Sequence, residues 1–155
     1  MNEYGDVFDT ISVCLSKGLG CPIGSVLVGD ERLMKNAIRL RKVFGGNMRQ
    51  VGYLAAAGLY ALDNNIDRLV DDHKRAKEIE STLKELSFIK TVEPVETNII
   101  IFELNEDVNE ITFVQKLIDD NIKIIGMGGG KLRMVTHLDY TDDMHNRLLD
   151  VLKSI

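Results

Sequence analysis

A lysine stands in a glycine-rich turn at residue 17. The turn, Ser16-Lys17-Gly18-Leu19-Gly20, follows Thr10-Ile11-Ser12-Val13-Cys14-Leu15. Apolar residues alternating with small polar ones predict a strand, about Asp9 to Leu15, with one buried face. Gly18 and Gly20 free the backbone from the limits of other residues and let a ligand approach closely. A lysine held there can attack a carbonyl as a neutral amine and then serve as a base. Taken alone, the same residues also suit an ordinary surface loop.

Arg133 is the second residue with a chemical reading. It lies between Leu132 and Met134 in a strand candidate, Lys131 to Val135. Alternation buries those neighbours on the opposite face. A strand arginine in this setting needs a partner, because an unpaired buried charge is costly. Either a salt bridge to a nearby acid or a bidentate clamp on a ligand carboxylate meets that need. Lys42 and Arg49 flank Gly45-Gly46-Asn47, so their charges could converge on an anion at a glycine turn and helix start. The alternative is a solvated basic patch with Arg32, Lys35, Arg39 and Arg41.

Three longer segments carry a family resemblance. They are 16–29 (Ser16-Lys17-Gly18-Leu19-Gly20-Cys21-Pro22-Ile23-Gly24-Ser25-Val26-Leu27-Val28-Gly29), 41–50 (Arg41-Lys42-Val43-Phe44-Gly45-Gly46-Asn47-Met48-Arg49-Gln50) and 132–137 (Leu132-Arg133-Met134-Val135-Thr136-His137). Together, in this order, they resemble the low-specificity L-threonine aldolases. These are β-eliminating-lyase-type members of the fold-type I pyridoxal phosphate enzymes. The resemblance covers essentially the whole chain but only the C-terminal half of such an enzyme. It implies that Lys17 is the lysine that links to pyridoxal 5'-phosphate. It implies further that Arg133 holds the substrate α-carboxylate, and that Lys42 and Arg49 lie by the cofactor phosphate, reached across a subunit interface. Asn47 stands where the family usually has glycine, a position that asparagine tolerates best among the other residues.

These residues must be positioned by an α/β framework. After the lysine turn, Gly24 to Gly29 predicts a short strand, and Asp30 caps a helix with Leu33, Met34, Ala37, Ile38 and Arg41 at helical spacing. A helix from about Arg49 to Leu62 has a small-residue face of Val51, Leu54, Ala55, Gly58 and Leu59. A longer one, Ile66 to about Leu86, has the stripe Ile66, Leu69, Val70, His73, Ala76, Ile79, Leu83 and Leu86. Strands are expected at Phe88 to Val92, Asn98 to Glu103, Ile122 to Ile125 and Lys131 to Val135. Helices are expected at Asn109 to Asp119 and Thr141 to Lys153. Gly126-Met127-Gly128-Gly129-Gly130 reads as a hairpin connection rather than a phosphate loop, because no helix follows it. His73 is expected at the core edge and His145 on the surface. His137 suits either a site contact or a structural hydrogen bond. The fold expectation is the end of a fold-type I large domain over 1–64, then a small C-terminal α/β domain over 65–155.

Bulk composition bounds the function. The chain has 155 residues, is 45% hydrophobic and 28% charged, and carries a net charge of -5. This composition suits a globular protein with a real core. The negative charge argues against general nucleic-acid or anionic-membrane binding. No apolar run approaches the length that crosses a bilayer, and the acidic start lacks a signal-peptide pattern; both favour the cytoplasm. Cys14 and Cys21 are too few for a disulfide framework and fit no zinc spacing, so both read as reduced packing residues.

The resemblance also shows what such a chain needs. Pyridoxal phosphate requires phosphate donors, a ring stack and a carboxylate at the pyridine nitrogen, which in these enzymes come mainly from upstream of the lysine. The expected function is therefore the C-terminal portion of a threonine aldolase. It would act on a small amino-acid substrate, cleaving L-threonine or L-allo-threonine to glycine and acetaldehyde. It would do so only with an N-terminal half and a homo-oligomeric partner; the isolated chain is expected to be inactive. The alternative is a non-catalytic remnant or interaction module that keeps the small-domain fold. A related aromatic amino-acid lyase or alanine-active enzyme on the same fold is a third reading, because fold does not settle reaction.

Overall fold

In the computed structural model, which describes residues 2–155, the chain forms two compact units that divide between Asp67 and Arg68. The sequence reading sets the division after Asn64.

The first unit holds α1 (Asn2–Gly5), β1 (Thr10–Cys14), β2 (Ser25–Gly29), α2 (Glu31–Val43) and α3 (Gly52–Asn64). β1 and β2 pair antiparallel, from Thr10 opposite Gly29 to Cys14 opposite Ser25. Neither outer edge of this two-stranded sheet has a strand partner among the described residues. Asp30 caps α2 as expected, its carboxylate accepting from the Leu33 amide at 2.8 Å. Gly29 has no room for a side chain: an added Cβ would lie 2.9 Å from the Asp9 carbonyl oxygen. Little of this unit is buried. Leu19, Cys21, Gly58 and Ala61 are, whereas all of β2 is exposed, and so are Ile38, Leu40, Val43 and Phe44 near the end of α2. The predicted faces of α2 and α3 are therefore only partly covered: Leu33, Met34, Ala37 and Leu54 are half-buried and Gly58 is buried, whereas Ile38, Val51 and Leu59 are exposed. Cys14 is exposed, contrary to its reading as a packing residue, because strand alternation turns it away from half-buried Ile11 and Val13.

The second unit holds α4 (Leu69–Glu85), β3 (Ile89–Val92), β4 (Ile99–Leu104), α5 (Glu110–Asp119), β5 (Ile125–Gly128), β6 (Lys131–Val135) and α6 (Asp142–Ser154). Its antiparallel sheet has the order β3-β4-β6-β5. The core joins Ile100 and Phe102 of β4, Leu132 and Met134 of β6, and apolar residues of the three helices, among them Ile79, Leu83, Phe113, Leu117, Leu148 and Leu152. Even-numbered residues of β4 and β6 are buried, as the period of two requires. Asn109 and Thr141 cap α5 and α6 by accepting from the amides of Thr112 and Met144.

Three expectations change here. The buried face of α4 is Asp72, Ala76, Ile79, Glu80 and Leu83, and His73 and Val70 are exposed. His73 follows Asp72 by one residue, about 100° around the helix, and Asp72 holds the inner position because Arg68 pairs with it at 2.5 Å. His145 is buried rather than on the surface, for reasons given below. The strand expected at Ile122 to Ile125 begins only at Ile125 and runs into the glycine segment. The hairpin itself is present: Gly128, Gly129 and Gly130 all have positive φ, of 81°, 63° and 82°. Side chains rarely adopt such angles, so glycine is what allows this turn to close.

Candidate functional site

Lys17 projects from a loop whose flanks are fastened. The Leu15 amide donates to the Gly24 carbonyl at 2.9 Å, and the Cys21 amide to the Leu15 carbonyl at 3.0 Å. The Gly20 amide closes a turn on the Lys17 carbonyl at 2.8 Å, with Gly20 at φ 72°. The buried residues Leu19 and Cys21 anchor the loop on α3. Asn65, the residue that ends α3, donates its side-chain amide to the Leu19 carbonyl at 2.7 Å. The Cys21 thiol meets the Ala57 carbonyl at 3.5 Å. Gly58 keeps α3 close: a Cβ there would sit 3.3 Å from Leu15 Cδ1. Lys17 itself is exposed, and no ion pair engages its amine among the described residues. The result is a free amine on a fixed backbone.

Lys42 lies in the last turn of α2, and Arg49 lies in the turn before α3. Both are exposed. Between them the Gly46 amide donates to the Arg41 carbonyl at 2.8 Å, and Gly45 takes φ 77°. Gln50 also takes a positive angle, φ 50°, whereas Asn47, at the position where the family usually has glycine, does not. Lys17, Lys42 and Arg49 thus all belong to the first unit, and Arg133 belongs to the second.

Arg133 occupies the middle of β6, opposite Ile101 on one side and Ile125 on the other. It is half-buried, and its Nε is buried without a hydrogen-bond partner. The strand is tied down just beyond it. Thr136 is 1% exposed, and its hydroxyl donates to the Asp72 carbonyl of α4 at 2.8 Å. Its own amide donates to the Asn98 carbonyl at 3.0 Å, and its carbonyl accepts from the Asn98 side chain at 2.8 Å. His137 is exposed and accepts from the Asp139 amide through Nδ1.

Sequence reasoning missed two arrangements near this strand. His145 is 4% exposed, with Nε2 at 2.7 Å from a Glu78 carboxylate oxygen and Nδ1 at 3.2 Å from the Tyr140 hydroxyl. A histidine inside α6 reads as surface until its two partners, one on α4 and one upstream of α6, are known. Burial pushes the Tyr140 phenol up to about 12, and Arg75 opposes this weakly. The second arrangement joins Arg68, Asp72, Arg75 and Asp142. Arg75 donates to Asp142 at 2.8 Å and lies 3.9 Å from Asp72. Its guanidinium and the Asp142 carboxyl are each shifted toward the charged form by that bond. Only the i, i+4 spacing of Arg68 and Asp72 hinted at it.

Comparison with known proteins identifies the family of the chain. The sequence pattern of the beta-eliminating lyase family matches residues 1–107. Low-specificity L-threonine aldolase 1 of Arabidopsis thaliana is 41% identical over 145 residues, which cover 90% of this chain and 40% of that protein. The chain thus spans about 40% of the length of such relatives, and it matches their C-terminal part. Among solved structures, a chain described as an aromatic amino acid beta-eliminating lyase/threonine aldolase, from Exiguobacterium sp. 255-15, superposes with a TM-score of 0.76. That match is 17% identical and covers 98% of this chain and 46% of the other. The histidinol-phosphate aminotransferase of Clostridium acetobutylicum gives 0.67 at 17% identity, over 99% and 48%. At such identities these two speak for the fold alone, which is that of the fold-type I pyridoxal phosphate enzymes. With a family pattern over more than half its length and relatives above 30% identity, the chain belongs to the beta-eliminating lyase family.

Proposed function

We propose that this chain is the C-terminal portion of a pyridoxal-phosphate-dependent threonine aldolase, cleaving L-threonine or L-allo-threonine to glycine and acetaldehyde once its site is complete. The observation that carries the reading is the partnerless Nε of Arg133. In a family that acts on amino acids, a half-buried guanidinium with an unused donor is suited to a substrate α-carboxylate.

The residues present fit part of a cofactor site. Lys17 offers an unpaired amine on an anchored loop, and Lys42 and Arg49 offer exposed cations beside a glycine turn, where a phosphate could be held. When bound, pyridoxal phosphate supplies the electron sink for breaking the Cα–Cβ bond. Lys17 would bind its aldehyde carbon and, once displaced by substrate, could carry a proton on Nζ. Arg133 would orient the substrate through its carboxylate. The ring stack, the pyridine-nitrogen carboxylate and the base for the β-hydroxyl are contributions we assign to a complementary N-terminal half in the same homo-oligomeric assembly. Among the described residues no helix is long and apolar enough to cross a membrane.

A second reading, an interaction module without catalysis, draws on the uncovered apolar residues of β2, α2 and α3. One assay separates the two. Glycine formation from threonine is measured with the chain alone, then with an N-terminal half from a related aldolase. Turnover only on mixing supports the aldolase reading. No turnover in either case favours the module, and robust turnover by the chain alone overturns the need for a partner half.

A further inference from the structure

The second unit contains a cavity of about 640 Å³ that the aldolase reading does not use in full. Its origin lies in the sheet. β5 begins opposite Arg133, so β6 has no β5 partner at Met134 and Val135. The segment leading into β5 passes this gap without pairing, and α6 lies across it. Ile79, Met134 and Leu148 of the core line the opening, and Ile122 and Ile124 extend its apolar surface.

The charges around this apolar chamber are unevenly matched. Lys123, Arg133 and Arg147 line it, against Asp120 and Asp143. Arg147 is already bound to Asp120. Lys123 has no ion pair among the described residues, and Arg133 has a buried Nε with no partner. An anion would therefore find more free positive than negative charge. The volume falls within the roughly 300–1,000 Å³ typical of small-molecule sites, which are mostly apolar with a few polar groups.

We propose that this cavity binds an amphiphilic carboxylate, a medium-length aliphatic acid whose chain covers Met134 and Leu148 and whose head is held by Lys123 and Arg133. The ligand needs neither an α-amino group nor pyridoxal phosphate, so the proposal extends beyond the aldolase reading, but it shares Arg133 with that reading, and a carboxylate held there excludes the substrate's.

The test uses the full chain with labelled Ile and Met methyl groups, titrated with sodium octanoate and observed by NMR. Saturable shifts should centre on Ile122, Ile124, Met134 and Met144. Octanamide keeps the chain but loses the charge, and it should bind about tenfold more weakly, as should octanoate to Arg133→Gln. Ile124→Trp, which fills the chamber, should abolish the saturable shifts while leaving other methyl positions unchanged. If Ile124→Trp disturbs the fold, the wild-type pattern with the two ligands still decides. Shifts that do not saturate, that fall mainly on methyl groups of the first unit, or that are equal for acid and amide would each overturn the proposal.

Discussion

The Asn65 side-chain amide donates to the Leu19 carbonyl at 2.7 Å, across 46 residues of sequence. This bond joins the end of α3 to the loop that carries Lys17. It satisfies a buried carbonyl in a stretch with few other long-range ties. Asn65→Ala should cost about 1 kcal/mol locally. Amide exchange at Gly20 and Cys21 should then quicken about fivefold. Unchanged exchange would show that Cys21 and Gly58 hold the loop without it.

Borohydride reduction of the reconstituted protein with pyridoxal phosphate should fix the label on Lys17. The loop presents that amine free of ion pairs, whereas Lys131 is bound to Glu93 at 2.6 Å, which raises its pKa. Peptide mapping that puts the label on Lys42 or Lys131 would overturn the assignment.

Arg133→Lys keeps the charge and loses the planar fork. The loss of one charge-assisted pair amounts to about 1.5–3 kcal/mol, so substrate efficiency in the reconstituted enzyme should fall by roughly tenfold or more. Cofactor absorbance should be retained. Unaltered kinetics would mean that the carboxylate is held by another residue.

Glu80 predicts an acid limit for the second unit. Bonds from Lys84 and Lys77, with a weaker one from the Val95 amide, hold its carboxyl down from 4.5 to about 2 against the opposing effect of burial. A lowered folded-state pKa stabilises above the unfolded value and is lost as pH falls through the folded one. The contribution should therefore be full above about pH 5 and fade toward pH 2. Both lysine partners are more than half exposed, so screening limits it to about 2 kcal/mol. Denaturation curves of Glu80→Gln should show a correspondingly smaller loss between those limits. Identical acid sensitivity in both proteins would refute the role.

Much of this architecture was legible in the sequence because its signals are local. Asp30 announced its helix by capping chemistry, and the helices expected from Asn109 and from Thr141 begin at those residues, which cap them. The alternation around Arg133 gave the buried faces of β6, and the three glycines gave the hairpin. What stayed hidden depends on distant partners. Asp72 displaces His73 from the inner face of α4 because Arg68 neutralises it, and His145 is buried because Glu78 and Tyr140 give both its ring nitrogens a hydrogen-bond partner. The Asn65 tie to Leu19 has no sequence signature at all. On the candidate site, residue types were readable, but the fastening of the Lys17 loop and the unused donor of Arg133 needed coordinates.

The uneven burial of the two units has a practical consequence for anyone engineering this protein. Cooperative melting requires a core, and the cluster around Phe102 and Leu132 lies in residues 68–155. A thermal-shift screen would therefore report on that half and remain nearly blind to Lys17. Variants of the lysine loop could score as neutral in such a screen while having lost the geometry that chemistry depends on. Site-resolved probes, not bulk stability, are the appropriate filter for this end of the chain.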